Sequence, residues 1–177
     1  LFLDIHSITA HGAPSFYLDA PTPDNRAFGE ALGPTYALRG WPELYISLGE
    51  EGGTLGTAEY AHSKGKTALL IECGQHKAET SVDVAYIAII NTLVYAGLID
   101  GEKQTNTLTE ITVKNVFFRK SADDNFVKEW THLEPVKKGE VLLKEVDGTE
   151  ISAPSDGYLI MPWRTSPVGD DWLYFGT

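Results

Sequence analysis

The chain is poor in cysteine, poor in positive charge and without a long uninterrupted apolar run, and each shortage removes a class of function. Cys73 is the only cysteine. No internal disulfide can form, no secretory leader is in view, and the sequence reads as that of a cytoplasmic protein. Lys and Arg number 14 against 25 Asp and Glu, a formal charge of −11. That excess repels phosphate backbones and anionic lipid surfaces, so neither nucleic acid nor membrane is expected as a partner. An anionic small substrate stays open, because one metal or one positive side chain reverses the potential locally. The longest apolar stretch, residues 82–99, is broken by Asp83, Asn91 and Thr92. It reads as a buried helix, not as a membrane span.

What remains is 177 residues of globular composition, enough to bury a core. The opening "LFLDIHS" has the pattern of a buried strand that delivers His6 and Ser7 at its exit. A loop rich in turn formers follows, leading through Asp24 to a short helix that ends near Gly33. "WPELYISLG" reads as a strand. A Gly-rich loop over 49–57 precedes a short helix from Thr57 to Gly65, and "TALLIECG" is a strand buried on both faces. The next helix starts at Ser81 as N-cap and closes at Gly97. Strands alternating with helices predict an α/β fold with a mixed, mainly parallel sheet and flanking helices over 1–104. From 105 to 177 the pattern is short β segments punctuated by Gly and Pro, a small all-β, barrel-like domain.

Two strand ends bring polar groups to the edge where α/β sheets build their sites. These are Asp4-Ile5-His6 and Ile71-Glu72-Cys73. A neutral imidazole at a strand end suits zinc, and a carboxylate beside it suits the deprotonation of water, which together describe a hydrolase. Glu72 ends an apolar run, where desolvation demands a partner or a role. The competing reading of His6 is a hydrogen-bonded structural residue. Cys73 reads as a small packed hydrophobe, with His76 as its only candidate base. The stretch 49–57 lacks the spacing of a phosphate loop, and the "GKT" at 65–67 precedes a strand where such a loop would follow one.

Taken together, "FLDIHS", "LLIECGQH", the helix ending in "AGLI" and the later "ISAPSDGYLIMP" resemble the succinylglutamate desuccinylase/aspartoacylase family of the zinc carboxypeptidase-like fold. The resemblance implies His6 as a zinc ligand and Glu72 as the general base. It implies a deacylase that removes an acyl group from an N-acyl amino acid or a related small amide. The family's other two zinc ligands lie in a His-x-x-Glu motif ahead of the Asp-x-His strand. No such motif stands ahead of that strand in these residues, the one His-x-x-Glu, His76 to Glu79, coming after Glu72, so the chain looks like the C-terminal portion of an enzyme. Zinc takes three protein ligands plus water, and His11, His62 and His76 lack ligand spacing to His6. The 177-residue chain is therefore expected to be inactive alone, and to pair with the missing segment or with itself through an exposed sheet edge.

Where the family carries a substrate-binding arginine, this sequence has His62; Arg39 is the candidate to compensate, against a surface role beside Trp41. Tyr158 stands where the β domain of family members offers a tyrosine to the site. The tail also resembles biotinyl or lipoyl carrier domains, but Lys144 lacks the setting of an attachment lysine. Two other readings remain, a zinc carboxypeptidase and a non-catalytic binding module.

Overall fold

The computed structural model describes residues 1–49 and 56–177; Gly52 and Gly53 of the Gly-rich loop lie outside them. The chain divides into two compact units, Leu1–Ile8 with Ala13–Ile111, and Thr9–Gly12 with Thr112–Thr177.

The first unit is an α/β layer. It contains β1 (Phe2–Ile8), β2 (Ser15–Tyr17), α1 (Pro23–Leu32), β3 (Tyr36–Arg39), α2 (Trp41–Ser47), α3 (Thr57–Ser63), β4 (Ala68–Gln75) and α4 (Glu79–Tyr95). The strands lie in the order β1-β4-β2-β3. β1 runs parallel to β4 and β2 parallel to β3, while β2 and β4 are antiparallel, so the sheet is mixed and mainly parallel. Successive side chains alternate between its faces. Leu69, Ile71 and Cys73 of β4, with Phe16 and Ala37, point to one face and form a core with Phe28 and Leu32 of α1 and Ala88 of α4. The opposite face carries Asp4, His6, Tyr17 and Glu72.

Four local expectations are corrected. β1 is not a buried strand. It sits at the sheet edge, with Ile5 39% exposed and His6 exposed, and edge position is decided by tertiary neighbours the strand's own residues do not encode. "WPELYISLG" is the helix α2 and not a strand. Its β-forming Trp41, Tyr45 and Ile46 mislead; what decides is Gly40 at φ 93, Pro42 in the first turn, and the helical spacing of buried Trp41 and Leu44. The turn-rich segment before α1 contains the short strand β2, and α1 is capped by Thr22, whose Oγ1 accepts from Asn25 N at 3.2 Å. α4 begins after Ala78, so Ser81 lies inside the helix and donates to Gln75 O at 2.8 Å. That bond ties α4 to the end of β4. Among the described residues no helix is long and apolar enough to cross a membrane.

The second unit is built of strands. β5 (Thr109–Phe118), whose first residues belong to the first unit, pairs antiparallel with β11 (Asp171–Gly176), which pairs with β10 (Gly157–Ile160), which pairs with β7 (Glu134–Val136). A second sheet joins β6 (Asn125–Phe126), β8 (Val141–Lys144) and β9 (Glu150–Ser152). Trp130, Leu142, Leu159, Trp172 and Phe175 fill the core, with Phe126 stacked on Trp172 at 5.1 Å. Lys144 ends β8 opposite Glu150, in the ladder and not at a hairpin tip. His132 is buried, 2% exposed. Its Nδ1 accepts from Met161 N at 3.1 Å, which requires an unprotonated Nδ1 and so the neutral ring.

Two outcomes follow from this packing. A Cβ added at Gly29 of α1 would meet the Phe16 ring at 2.5 Å in a core that cannot give. Gly29→Ala is therefore expected to destabilise the protein by about 1–2 kcal/mol in urea titration, although alanine is the better helix former. Burial lowers the His132 pKa from 6.5 to about 4. The neutral ring's contribution is complete above 6.5 and is lost as pH falls through about 4, a loss on the order of 3 kcal/mol. His132→Gln should flatten the acid limb of the melting temperature against pH.

Candidate active site

Glu72 is the residue around which the first unit's polar face is organised. The apolar run of β4 carries it into the sheet centre, where it is 5% exposed. In register it lies between His6 of β1 and Ser15 of β2, so the three side chains leave the same face abreast. The Tyr17 hydroxyl donates to the carboxylate. The other oxygen, Oε2, is buried with no hydrogen-bond partner among the described residues. Burial pushes the Glu72 pKa up to about 7, opposed by the nearby His6 imidazole and the Tyr17 hydroxyl and reinforced by Asp4. A carboxyl poised near neutrality suits general acid-base work.

His6 sits beside it on β1. Its Nε2 lies 3.1 Å from Asp4 Oδ2, two residues back on the same face. Asp4 Oδ2 also accepts from Thr57 Oγ1 at the start of α3. Asp4 thus orients the imidazole from Nε2, as carboxylates orient metal-binding histidines, and Nδ1 is the nitrogen that would face an ion. Yet among the described residues no three His, Cys, Asp or Glu converge to hold an ion. The residues present fit one ligand position and fall short of a zinc site.

The remaining sequence candidates lie on separate elements. His62 of α3 lines a shallow cleft with Tyr17, Asp19 and Glu59, and its Nδ1 lies 3.4 Å from Asn25 Nδ2. Arg39, at the end of β3, reaches Glu110 Oε2 at 3.6 Å, and Glu110 is also bound by Arg26 at 2.7 Å. Tyr158 belongs to the second unit, on β10 opposite Gly176 and Pro135. His76 Nδ1 is 2.8 Å from Ser7 Oγ. Cys73 faces the core, and burial with the neighbouring Glu72 raises its thiol pKa to about 11, which leaves it protonated and not nucleophilic.

Two participants escaped sequence reasoning, Tyr17 and Asp19, both from "SFYLD". Asp19 Oδ1 accepts from Gly40 N at 2.7 Å and Trp41 N at 3.1 Å, and so caps α2 from a distance. Burial raises its pKa to about 6 against those two bonds. Trp41, fixed in this way, lies against the Tyr17 ring with centroids 5.1 Å apart. The alternation of polar and apolar residues in "SFYLD" was the available signal.

No protein-family profile matches the sequence, and no curated protein is similar to it. Solved structures are. Succinylglutamate desuccinylase from Vibrio cholerae superposes with a TM-score of 0.74 at 15% identity, over 99% of this chain and 52% of its own. The corresponding enzyme from Vibrio parahaemolyticus gives 0.71 at 14%, over 98% and 52%. The ectoine utilization protein EutE (DoeB) from Ruegeria pomeroyi gives 0.73 at 21%, over 99% and 59%. The chain has the fold of the succinylglutamate desuccinylase/aspartoacylase proteins. It spans about half the length of these structures, 52% to 59%.

The electrostatics of this fold's central carboxylate give a direct test. With its pKa raised from 4.5 to about 7, Glu72 contributes stability as the neutral acid. That contribution is complete below 4.5 and lost as pH rises through about 7. Glu72→Gln in the metal-free chain is therefore expected to be more stable than wild type above neutrality, by on the order of 3 kcal/mol, and to melt at a higher temperature there. The two melting curves should converge in acid.

Proposed function

We propose that the chain is the part of a zinc-dependent amide hydrolase that carries the general base, acting on an N-acyl amino acid or a related small amide. The observation that supports this most is Glu72 itself, a buried carboxyl with a pKa near 7 and one oxygen without a partner among the described residues, abreast of His6. As the carboxylate, Glu72 takes a proton from water while that water attacks the amide carbonyl. It then hands the proton to the leaving amine, so one residue serves as base and then acid. The names of the solved structures with this fold, desuccinylases among them, support the same reaction class.

Zinc enters the proposal as an ion that His6 helps to hold, its remaining ligands lying outside the described residues. The edge strand β1 offers the backbone groups on which further polypeptide, or a second copy of the chain, would pair. The 177-residue chain alone is proposed to be inactive. The single cysteine supports a cytoplasmic location.

The test is Glu72→Gln in the complete enzyme, assayed on N-succinyl-L-glutamate and N-acetyl-L-aspartate. Turnover is expected to fall by about 10²–10⁴-fold with zinc content unchanged. Near-normal turnover in the variant would overturn the role of Glu72.

A further inference from the structure

We infer that Tyr17 is the positioning residue of the base: its hydroxyl pins one oxygen of Glu72 and so aims the other at the reacting water. The inference rests on the assignment of Glu72 as base and deepens it.

The geometry has three parts. Tyr17 and Glu72 share a face of the sheet, because Ser15 stands opposite Glu72 and Tyr17 opposite Leu70 on adjoining strands. The phenol donates to Glu72, and Oε2 is the carboxylate oxygen with no partner among the described residues; the bond therefore falls on Oε1. A carboxylate held at one oxygen has its plane and its second oxygen fixed by the same contact.

Tyr17 is itself immobilised. β2 is paired on both sides, with β4 and with β3. The ring rests against Trp41, tilted by 31°, and Trp41 is fixed by the two bonds from Gly40 N and Trp41 N to Asp19. Asp19, α2, Trp41 and Tyr17 thus form a rigid line that ends on the base. Burial, with Glu72 next in importance, raises the phenol pKa well above its usual value. Tyr17 therefore stays a donor throughout the working range and does not compete with Glu72 for the proton.

A hydrogen bond to a charged group of this kind is worth roughly a 10- to 100-fold effect on rate. In the complete enzyme with zinc bound, hydrolysis of N-succinyl-L-glutamate by Tyr17→Phe is expected to show kcat lowered by that factor and KM within about twofold of wild type. The phenylalanine ring keeps the contact with Trp41, and an unchanged near-ultraviolet circular dichroism spectrum confirms that packing is retained. A wild-type kcat overturns the proposal, as does a raised KM at constant kcat, which would make Tyr17 a substrate-binding residue. If Glu72→Gln itself turns over normally, the base assignment fails and the role of Tyr17 with it; if only Tyr17→Phe does, the base assignment survives.

A second measurement needs no turnover. With 3-fluorotyrosine at position 17 of the chain, the ¹⁹F resonance is expected to move on Glu72→Gln. A resonance that does not move overturns the proposal whatever the kinetics show.

Discussion

The first unit depends on the burial of one carboxyl group in the middle of its sheet. β4 is apolar on the side that meets α1 and α4, and that burial holds the layer together. The same strand carries Glu72, 5% exposed, onto the opposite face. Desolvation of an acid is costly without donors or opposite charge, and the surroundings of Glu72 supply only part of the compensation. Tyr17 gives one hydrogen bond, the nearby His6 imidazole favours the charged form, and one oxygen has no partner among the described residues. A purely structural site would be expected to satisfy that oxygen. Incomplete compensation is what places the group's proton affinity near neutrality, and the group proposed as the base is also a destabilising one.

The second unit shows the opposite solution to a similar problem. His132 is buried too, but its ring stays neutral and takes a backbone donor from Met161. No charge is left to be exploited. Its contribution is to hold the chain segment before β7 against the end of β10, where Leu133 and Met161 both adopt positive φ.

Much of this was legible in the sequence because the relevant signals are local. A run of apolar residues closed by Glu72 specifies a central strand and marks the odd residue in it. The apolar helix after it and the Gly- and Pro-punctuated β tail are likewise written in their own residues. What was not legible is set by neighbours distant in sequence. α2 looks like a strand because Trp, Tyr and Ile favour sheets, and its helical start depends on Asp19, which lies far back in the chain. Tyr17 sits on a three-residue strand inside a turn-rich loop, too short to register as an element by pattern. The exposure of β1 follows from what does or does not lie beside it, and no strand states its own position in a sheet.

The alternation of β4 has a further consequence for how the chain can change. Ile71 and Cys73 enter the core while Glu72, between them, enters the site, so the two share a single phase. Substitutions can alter either set independently. Inserting or deleting one residue within the strand cannot, because it would carry the acid inward and an aliphatic side chain outward at once. Length in this segment is therefore under tighter constraint than composition, and related chains should tolerate drift in the identity of its apolar residues while keeping their number fixed.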